Sequence, residues 1–421
     1  MAQISPTLKQ ATPVTVERAE GNWIFGVDKK AYLDFTSGIG VTSTGHCHPR
    51  VVLAAQEQVA NVIHAQATTV MHNPLLDLTE KLGEVLLKSL DSVFYSNSGA
   101  EAVESAIRLA RMATGRPNIV AFQGGFHGRT VAAASLTTAG TKFRTGIAPL
   151  MPGVSIAPFP NAYRYGMSEN DATNFALREL DYILKTQTDP SDTAAFIIEP
   201  VQGDGGYLPV PRAFLQGLEA RAEKHDVLFI VDEIQAGVGR TGKFWAHEHA
   251  KIRPDILVTA KGLASGFPLS AIAASRELMS KALPGSHGGT YGGNAVSCAA
   301  AIATLNVIAD ERLVENASIR GEQLHQGLIQ LKDKYSSIIG DVRGIGLMQA
   351  LEFTGPDEEA DPDAASDVQR MAVDEGLLLL TCGPLGNVVR IVPSLTVSEH
   401  EIELGLNLLD NALLQACKNN R

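Results

Sequence analysis

Two runs within one segment decide how this sequence is read: "VLFIVDEI", residues 227–234, and "DILVTAKGLASGFPLS", residues 255–270. Each is built on an aliphatic, β-branched stretch, the pattern of a strand buried on both faces. Asp232 closes the first run, and Lys261 follows the second 29 residues later. In an open α/β sheet, ligands lie beyond the carboxyl ends of the strands, so both side chains are expected at one crevice. Lysine is almost never fully buried without a partner, yet Lys261 is followed by Gly, Leu, Ala, Ser and Gly.

Working outward, "SVFYSN", "NIVAF" and "AAFIIEPV" are further strand candidates. Helical windows lie between them, such as Gly99–Thr114, where Val103, Ile107 and Ala110 recur at three- and four-residue spacing. Strands alternating with helices over about 200 residues predict an α/β domain with a mostly parallel sheet covered on both faces. Residues before about Pro74 read as a lead-in with a turn at "VDKKAYLDF". After about Asn294, two long amphipathic helices lead to the strands "IGDVRGIGLMQALEF" and "NVVRIVPSLTV" of a smaller α+β domain. The expected division is residues 1–73, contributing to the small domain; 74–300, the large domain; and 301–421, linking helices and the C-terminal small domain. The stretch "TGPDEEADPDAA" reads as a solvated acidic loop.

The chain has 421 residues, 45% hydrophobic and 19% charged, with a net charge of −11. That balance gives no global field for nucleic acid or anionic membranes. No apolar run approaches a membrane span of about 18 residues. Cys47, Cys298, Cys382 and Cys417 lack C-x-x-C spacing and suggest reduced thiols. With no signal-like start, a cytoplasmic protein is expected.

A desolvated amine has a lowered pKa and attacks carbonyls to form a Schiff base. A carboxylate at the neighbouring strand end would suit a protonated pyridine nitrogen, the pairing that keeps pyridoxal phosphate an electron sink. An exposed loop lysine and a helix-capping aspartate would also account for the pair, and fold-level position alone is weak evidence against that. A second feature is "YSNSGAEAVESAIRLAR", where Ser98, Gly99 and Ala100 join a strand to a helix. Such a turn offers backbone N–H groups and a helix N-terminus to an anion, although Ser98 could be a plain helix cap. Phe126, beside His127 in "FQGGFHGRT", offers a flat ring, or core packing. "GVGRTGKF", residues 237–244, approaches a phosphate loop but has Phe244 where a hydroxyl should bind magnesium. "GHCHP" and "HEH" are too short and isolated for metal sites, so no metal is expected.

These motifs together resemble the class III (ω-)aminotransferases of pyridoxal-phosphate fold type I. The likeness runs from about Asn22 to Arg390 and includes "IIEPVQGDGG" and "GGTYGGN". It implies a pyridoxal 5′-phosphate enzyme with Lys261 as the Schiff-base lysine and Asp232 on the pyridine nitrogen. His127 falls among the cofactor-binding positions, Gln235 near the phenolic oxygen, Phe126 stacked on the ring and Ser98, Gly99 and Ala100 on the phosphate. Thr290 would reach the phosphate bound by the other subunit of a homodimer whose sites are shared across the interface, and such dimers could pair into tetramers.

Within the family the sequence is most similar to 4-aminobutyrate aminotransferases. The resemblance implies a small-molecule amino donor and a 2-oxo acid acceptor: 4-aminobutyrate and 2-oxoglutarate, by a ping-pong mechanism. Arg129 would bind the distal carboxylate, Arg390 the α-carboxylate, and Ile39 would shape the pocket, with Glu199 in support. One departure stands out: the subfamily's gate glutamate in "GEGG" is Asp204 in "QGDGG", one methylene shorter. Rival readings are another class III donor (ornithine, acetylornithine, β-alanine, 5-aminovalerate or a broad ω-amine set), an aminomutase or racemase, and a non-catalytic cofactor-binding module.

Overall fold

Seven strands form the central sheet, in the order Ser92–Ser96, Ser270–Ala274, Ile256–Thr259, Leu228–Asp232, Thr193–Ile198, Asn118–Phe122 and Val154–Ala157. The computed structural model describes residues 3–419. The Ser270–Ala274 strand runs antiparallel to both its neighbours, and the other pairings are parallel. Two of these strands, Val154–Ala157 and Ser270–Ala274, are absent from the sequence reading. Both are short and mix Ala and Ser with single aliphatics, so no β-branched run marks them.

Strand alternation explains how both faces are covered. Phe229 and Val231 pack with Phe122, Phe196, Phe214 and Leu218 on one side of the sheet. Ile230, Ile256 and Val258 pack on the other with Val103, Ile107 and Ala110 of the Gly99–Thr114 helix. Each fully buried Phe or Ile contributes ~1.5–3 kcal/mol. That helix runs from an N-cap at Ser98 to a left-handed C-cap at Gly115, the boundaries its sequence pattern predicts.

Outside the central sheet, a smaller sheet joins both ends of the chain. Val16–Glu20, Trp23–Gly26 and Ala31–Asp34 form a meander completed by Leu377–Leu378, which pairs parallel to Ala31–Asp34. A second antiparallel sheet orders Ile339–Ile345, Met348–Phe353, Val388–Ile391 and Leu380–Cys382.

Two expectations need correction. Ala295–Asp310 is not amphipathic: its buried residues, Ala295, Cys298, Ala300, Ala301, Leu305, Val307 and Ile308 among them, cover most of the helix, and the half-buried stripe that includes Ala299, Ile302 and Ala303 is as apolar as the rest. It packs against Pro49–Asn61, Asn73–Gly83 and Leu313–Lys334, and a helix enclosed in this way needs no polar face. The acidic loop is also shorter than expected, because Asp361 caps a helix that begins at Pro362. Among the described residues, no helix is long and apolar enough to cross a membrane.

Candidate active site

A cleft of about 510 Å³ opens at the carboxyl ends of the central strands. Its lining brings together Ile39, Ser98, Gly99, Ala100, Phe126, His127, Arg129, Glu199, Asp204, Asp232, Gln235, Lys261 and Arg390. These are all the site residues expected from sequence except Thr290, which is exposed on a separate loop.

Strand ends place the charged groups. Asp232 ends the Leu228–Asp232 strand, Glu199 directly follows Thr193–Ile198, and Lys261 begins a short turn after Ile256–Thr259. Lys261 has φ +44°, a left-handed conformation uncommon for a side chain of its size and typical of strained functional positions. Burial pulls its amine below the ordinary lysine value. Asp204, Glu199 and Asp232 oppose that shift, and Arg390 adds to it. Ile39 also has a positive φ, +72°, and projects its β-branched side chain from the opposite wall, 42% exposed.

The carboxylates are held differently. Asp232 Oδ2 lies 2.8 Å from His127 Nδ1, and Oδ1 accepts from the Ile234 N–H at 3.1 Å. Glu199 accepts from the Phe126 and Gly203 N–H groups at 2.8 and 2.9 Å. Burial nevertheless pushes its carboxyl up to about 7. Asp204 accepts from Arg390 Nη1 at 3.4 Å, the long end of hydrogen-bond range.

The anion cradle is partly committed. Ser98 Oγ caps the Gly99–Thr114 helix by accepting from the Glu101 N–H, and the Glu101 carboxylate takes the Asn97 and Ser98 N–H groups. The Gly99 and Ala100 N–H groups, in the first helical turn, remain available to an anion. A Cβ at Gly99 would come within 2.9 Å of Ile234 Cδ1, so a side chain there would have to displace Ile234. Phe126 stands edge-on to Phe143, ring centres 5.0 Å apart, and Arg129 lies over Phe143 at 5.3 Å.

Nothing in the sequence marks Tyr207 or Arg240, both buried, or their closeness to Arg390. No regular helix follows "GVGRTGKF", and Arg240 within it is buried, so the segment is no phosphate loop. His46 and His48 pair with Asp34 and Glu311, and His247 with Glu233. Among the described residues, no cluster of three metal-ligating side chains occurs.

Residues 4–413 match the family model for class-III aminotransferases. The chain is 39% identical to a 5-aminovalerate aminotransferase of Pseudomonas aeruginosa, covering 95% of this chain and 93% of that protein. It is 37% identical to a 4-aminobutyrate aminotransferase of Escherichia coli, over 97% and 95% of the two chains. Among solved structures, an amine transaminase from an uncultivated Pseudomonas species, in its PLP-bound form, superposes with a TM-score of 0.92. That match has 28% identity and covers 99% of each chain.

Proposed function

The chain belongs to the class-III aminotransferases and is a pyridoxal-phosphate-dependent enzyme, and we propose that it transfers the ω-amino group of 4-aminobutyrate to 2-oxoglutarate. The products are succinate semialdehyde and glutamate. The observation that carries this reading is that Arg129 and Arg390 line the same cleft as Lys261. Two guanidiniums around one reactive amine suit a substrate pair whose acceptor is a dicarboxylate, each guanidinium taking one carboxylate through two N–H groups. A donor with a single carboxylate leaves Arg390 in need of a counter-charge, and Asp204 supplies one.

The cleft fits the cofactor. Phe126 presents a ring, Asp232 an oriented carboxylate, and Gly99 and Ala100 free N–H groups. Gln235 Oε1 is buried with no hydrogen-bond partner among the described residues. When bound, pyridoxal phosphate supplies the electron sink for the carbon that loses its proton. Asp232, steadied by His127, would hold the proton at the pyridine nitrogen. Lys261 Nζ, whose basicity burial lowers, would move the proton from the carbon that bears the amino group. Arg129 orients the distal carboxylate, and Ile39 narrows the entrance against water. Glu199 fixes the Phe126 and Gly203 backbone through its two accepted bonds.

A homodimer follows from this reading. Leu53, Val62, Ile63, Val70, Met71 and Tyr291 expose large apolar side chains on the segments around residues 53–71 and 291, a face that a second copy would cover. Thr290 beside Tyr291 would then serve the phosphate of the partner's site. Light scattering on the purified protein tests this, and a monomer overturns it. Cys47, Cys298 and Cys382 form no disulfide among the described residues, in keeping with a cytoplasmic location.

A second reading, 5-aminovalerate as donor, is favoured by two relatives of that name at 37% and 39% identity. It asks the cleft to hold one more methylene. The deciding experiment follows the visible absorbance of the holoenzyme on adding 4-aminobutyrate, then 2-oxoglutarate. Bleaching followed by recovery establishes both half-reactions. Bleaching with 5-aminovalerate alone moves the donor to the longer acid. Turnover of an amino acid without 2-oxoglutarate would make the enzyme a mutase or racemase instead.

A further inference from the structure

The wall behind Arg390 holds more positive charge than its carboxylates balance. Arg390 spends Nη1 on Asp204, and its Nε has no hydrogen-bond partner among the described residues. Arg240 donates Nη1 to the carbonyls of Leu347 and Pro393, leaving Nη2 without a partner. Both guanidiniums are at least 95% buried, as is Tyr207, whose hydroxyl is also unpartnered. The phenol neighbours both arginines. Its oxygen is an acceptor set among donors.

Tyr207 arrives there by an unusual backbone route. It leaves the Gly203–Gly206 turn that carries Asp204, with φ +53°, a genuine outlier for a bulky residue. The ring is then enclosed by Val201, Met348, Cys382 and Val388. Apolar packing would be served by Phe as well, so the hydroxyl is the feature that needs a use. An unsatisfied buried hydroxyl costs stability.

We propose that Tyr207 is a positioning residue for Arg390, specific to substrates that bear an α-carboxylate. This rests on the reading of Arg390 as the α-carboxylate site. With Asp204 on Nη1, Nε makes no full hydrogen bond, although the Tyr207 phenol already lies against the guanidinium. When an α-carboxylate displaces Asp204 and takes both terminal nitrogens in a fork, Arg390 Nε donates to the Tyr207 oxygen and the guanidinium plane is fixed. Glutamate and 2-oxoglutarate therefore depend on the hydroxyl, and a donor without an α-carboxylate does not draw on it.

The test compares wild-type holoenzyme with Tyr207→Phe in single half-reactions with glutamate and with 4-aminobutyrate. For glutamate and 2-oxoglutarate, the half-saturating concentration should rise about tenfold with little change in limiting rate, the loss of one hydrogen bond to a charged group. The 4-aminobutyrate half-reaction should shift far less. Tyr207→Met, which fills similar space without a ring, should show the same split. Equal losses for acid and amine in both variants assign Tyr207 to packing and overturn the proposal, as does a Phe variant indistinguishable from wild type. Wild-type enzyme that ignores glutamate overturns the Arg390 reading itself, and the role of Tyr207 with it.

Discussion

His127 Nδ1 and Asp232 Oδ2 stand 2.8 Å apart with their side chains 1% and 2% exposed, a buried pair at the floor of the cleft. His127 is pinned through its backbone N–H to Thr137 Oγ1 at 2.9 Å. Burial alone would pull the imidazole down, but the bond to Asp232 and the charges of Asp232 and Glu199 outweigh it and raise its pKa. The pair therefore holds one carboxylate in a fixed orientation, which a group facing a ring nitrogen requires.

Removing His127 should be expensive. In His127→Ala, Asp232 Oδ2 loses its buried partner and only the Ile234 N–H remains, at a cost of about 3–5 kcal/mol. Urea denaturation of the apoenzyme should show the loss, together with weaker cofactor retention on gel filtration. An unchanged midpoint would mean that Asp232 finds a substitute partner.

Glu199 gives the pH dependence its sign. Its carboxyl rises from 4.5 to about 7 on folding, chiefly through burial. A raised value means that the group's contribution is fully present below about 4.5 and lost as pH rises through 7, a swing on the order of 3 kcal/mol. His127, raised above 6.5, loses its contribution in the same direction. Apoenzyme stability measured at pH 5 and pH 8 should therefore fall more in wild type than in Glu199→Gln, which removes the titrating carboxyl. Parallel profiles would show that Glu199 does not titrate in this window.

Much of this site was legible because Asp232, Glu199 and Lys261 each sit at the end of an aliphatic run, and strand ends converge in an α/β sheet. The contact between Asp204 and Arg390 spans 186 residues, and the sequence could supply only the two side chains, not their distance. Tyr207 left no trace at all, since a Tyr after a glycine turn reads as ordinary packing until its backbone φ is known. The Ala295–Asp310 helix misled for the opposite reason. Its small apolar residues fit any face, and only the neighbouring helices reveal that most of its circumference is buried.

Lys261→Met should separate function from stability. Turnover should fall by more than about a thousandfold, since proton transfer from a positioned amine is lost. The apoenzyme should be stabilised by about 1 kcal/mol near neutral pH, because a desolvated amine is replaced by an apolar chain of similar length. The sign follows from the lowered lysine value, whose cost grows as pH falls through it. A less stable variant at pH 7 would show that the amine is favourably paired.

Gly128 tests the loop between Phe126 and Arg129. Its φ is +137°, and a Cβ would lie 2.8 Å from the Cβ atoms of both Ala100 and Ala133. Gly128→Ala should cost about 1–3 kcal/mol by overpacking and weaken cofactor retention, because Ala100 belongs to the anion cradle. Thermal melting with and without added pyridoxal phosphate reads both effects. Loss of stability with full retention would free the cradle from this loop.

The aspartate at position 204 sets the last prediction. Its oxygen reaches Arg390 Nη1 at 3.4 Å, and its backbone is fixed by a 2.9 Å bond from the Gly383 N–H to its carbonyl. The turn therefore cannot simply move inward to close the gap. Adding a methylene in Asp204→Glu should tighten the contact, neutralise Arg390 more fully and favour donors without an α-carboxylate. The half-saturating concentration of 4-aminobutyrate should fall by about fivefold while that of glutamate rises, because the same guanidinium cannot serve both carboxylates. Asp204→Ala should reverse both shifts, leaving Arg390 open to glutamate. If neither variant moves the ratio of the two half-reactions, the pairing seen at 3.4 Å does not act as a gate, and discrimination between amine and acid must lie at Arg129 or Ile39 instead.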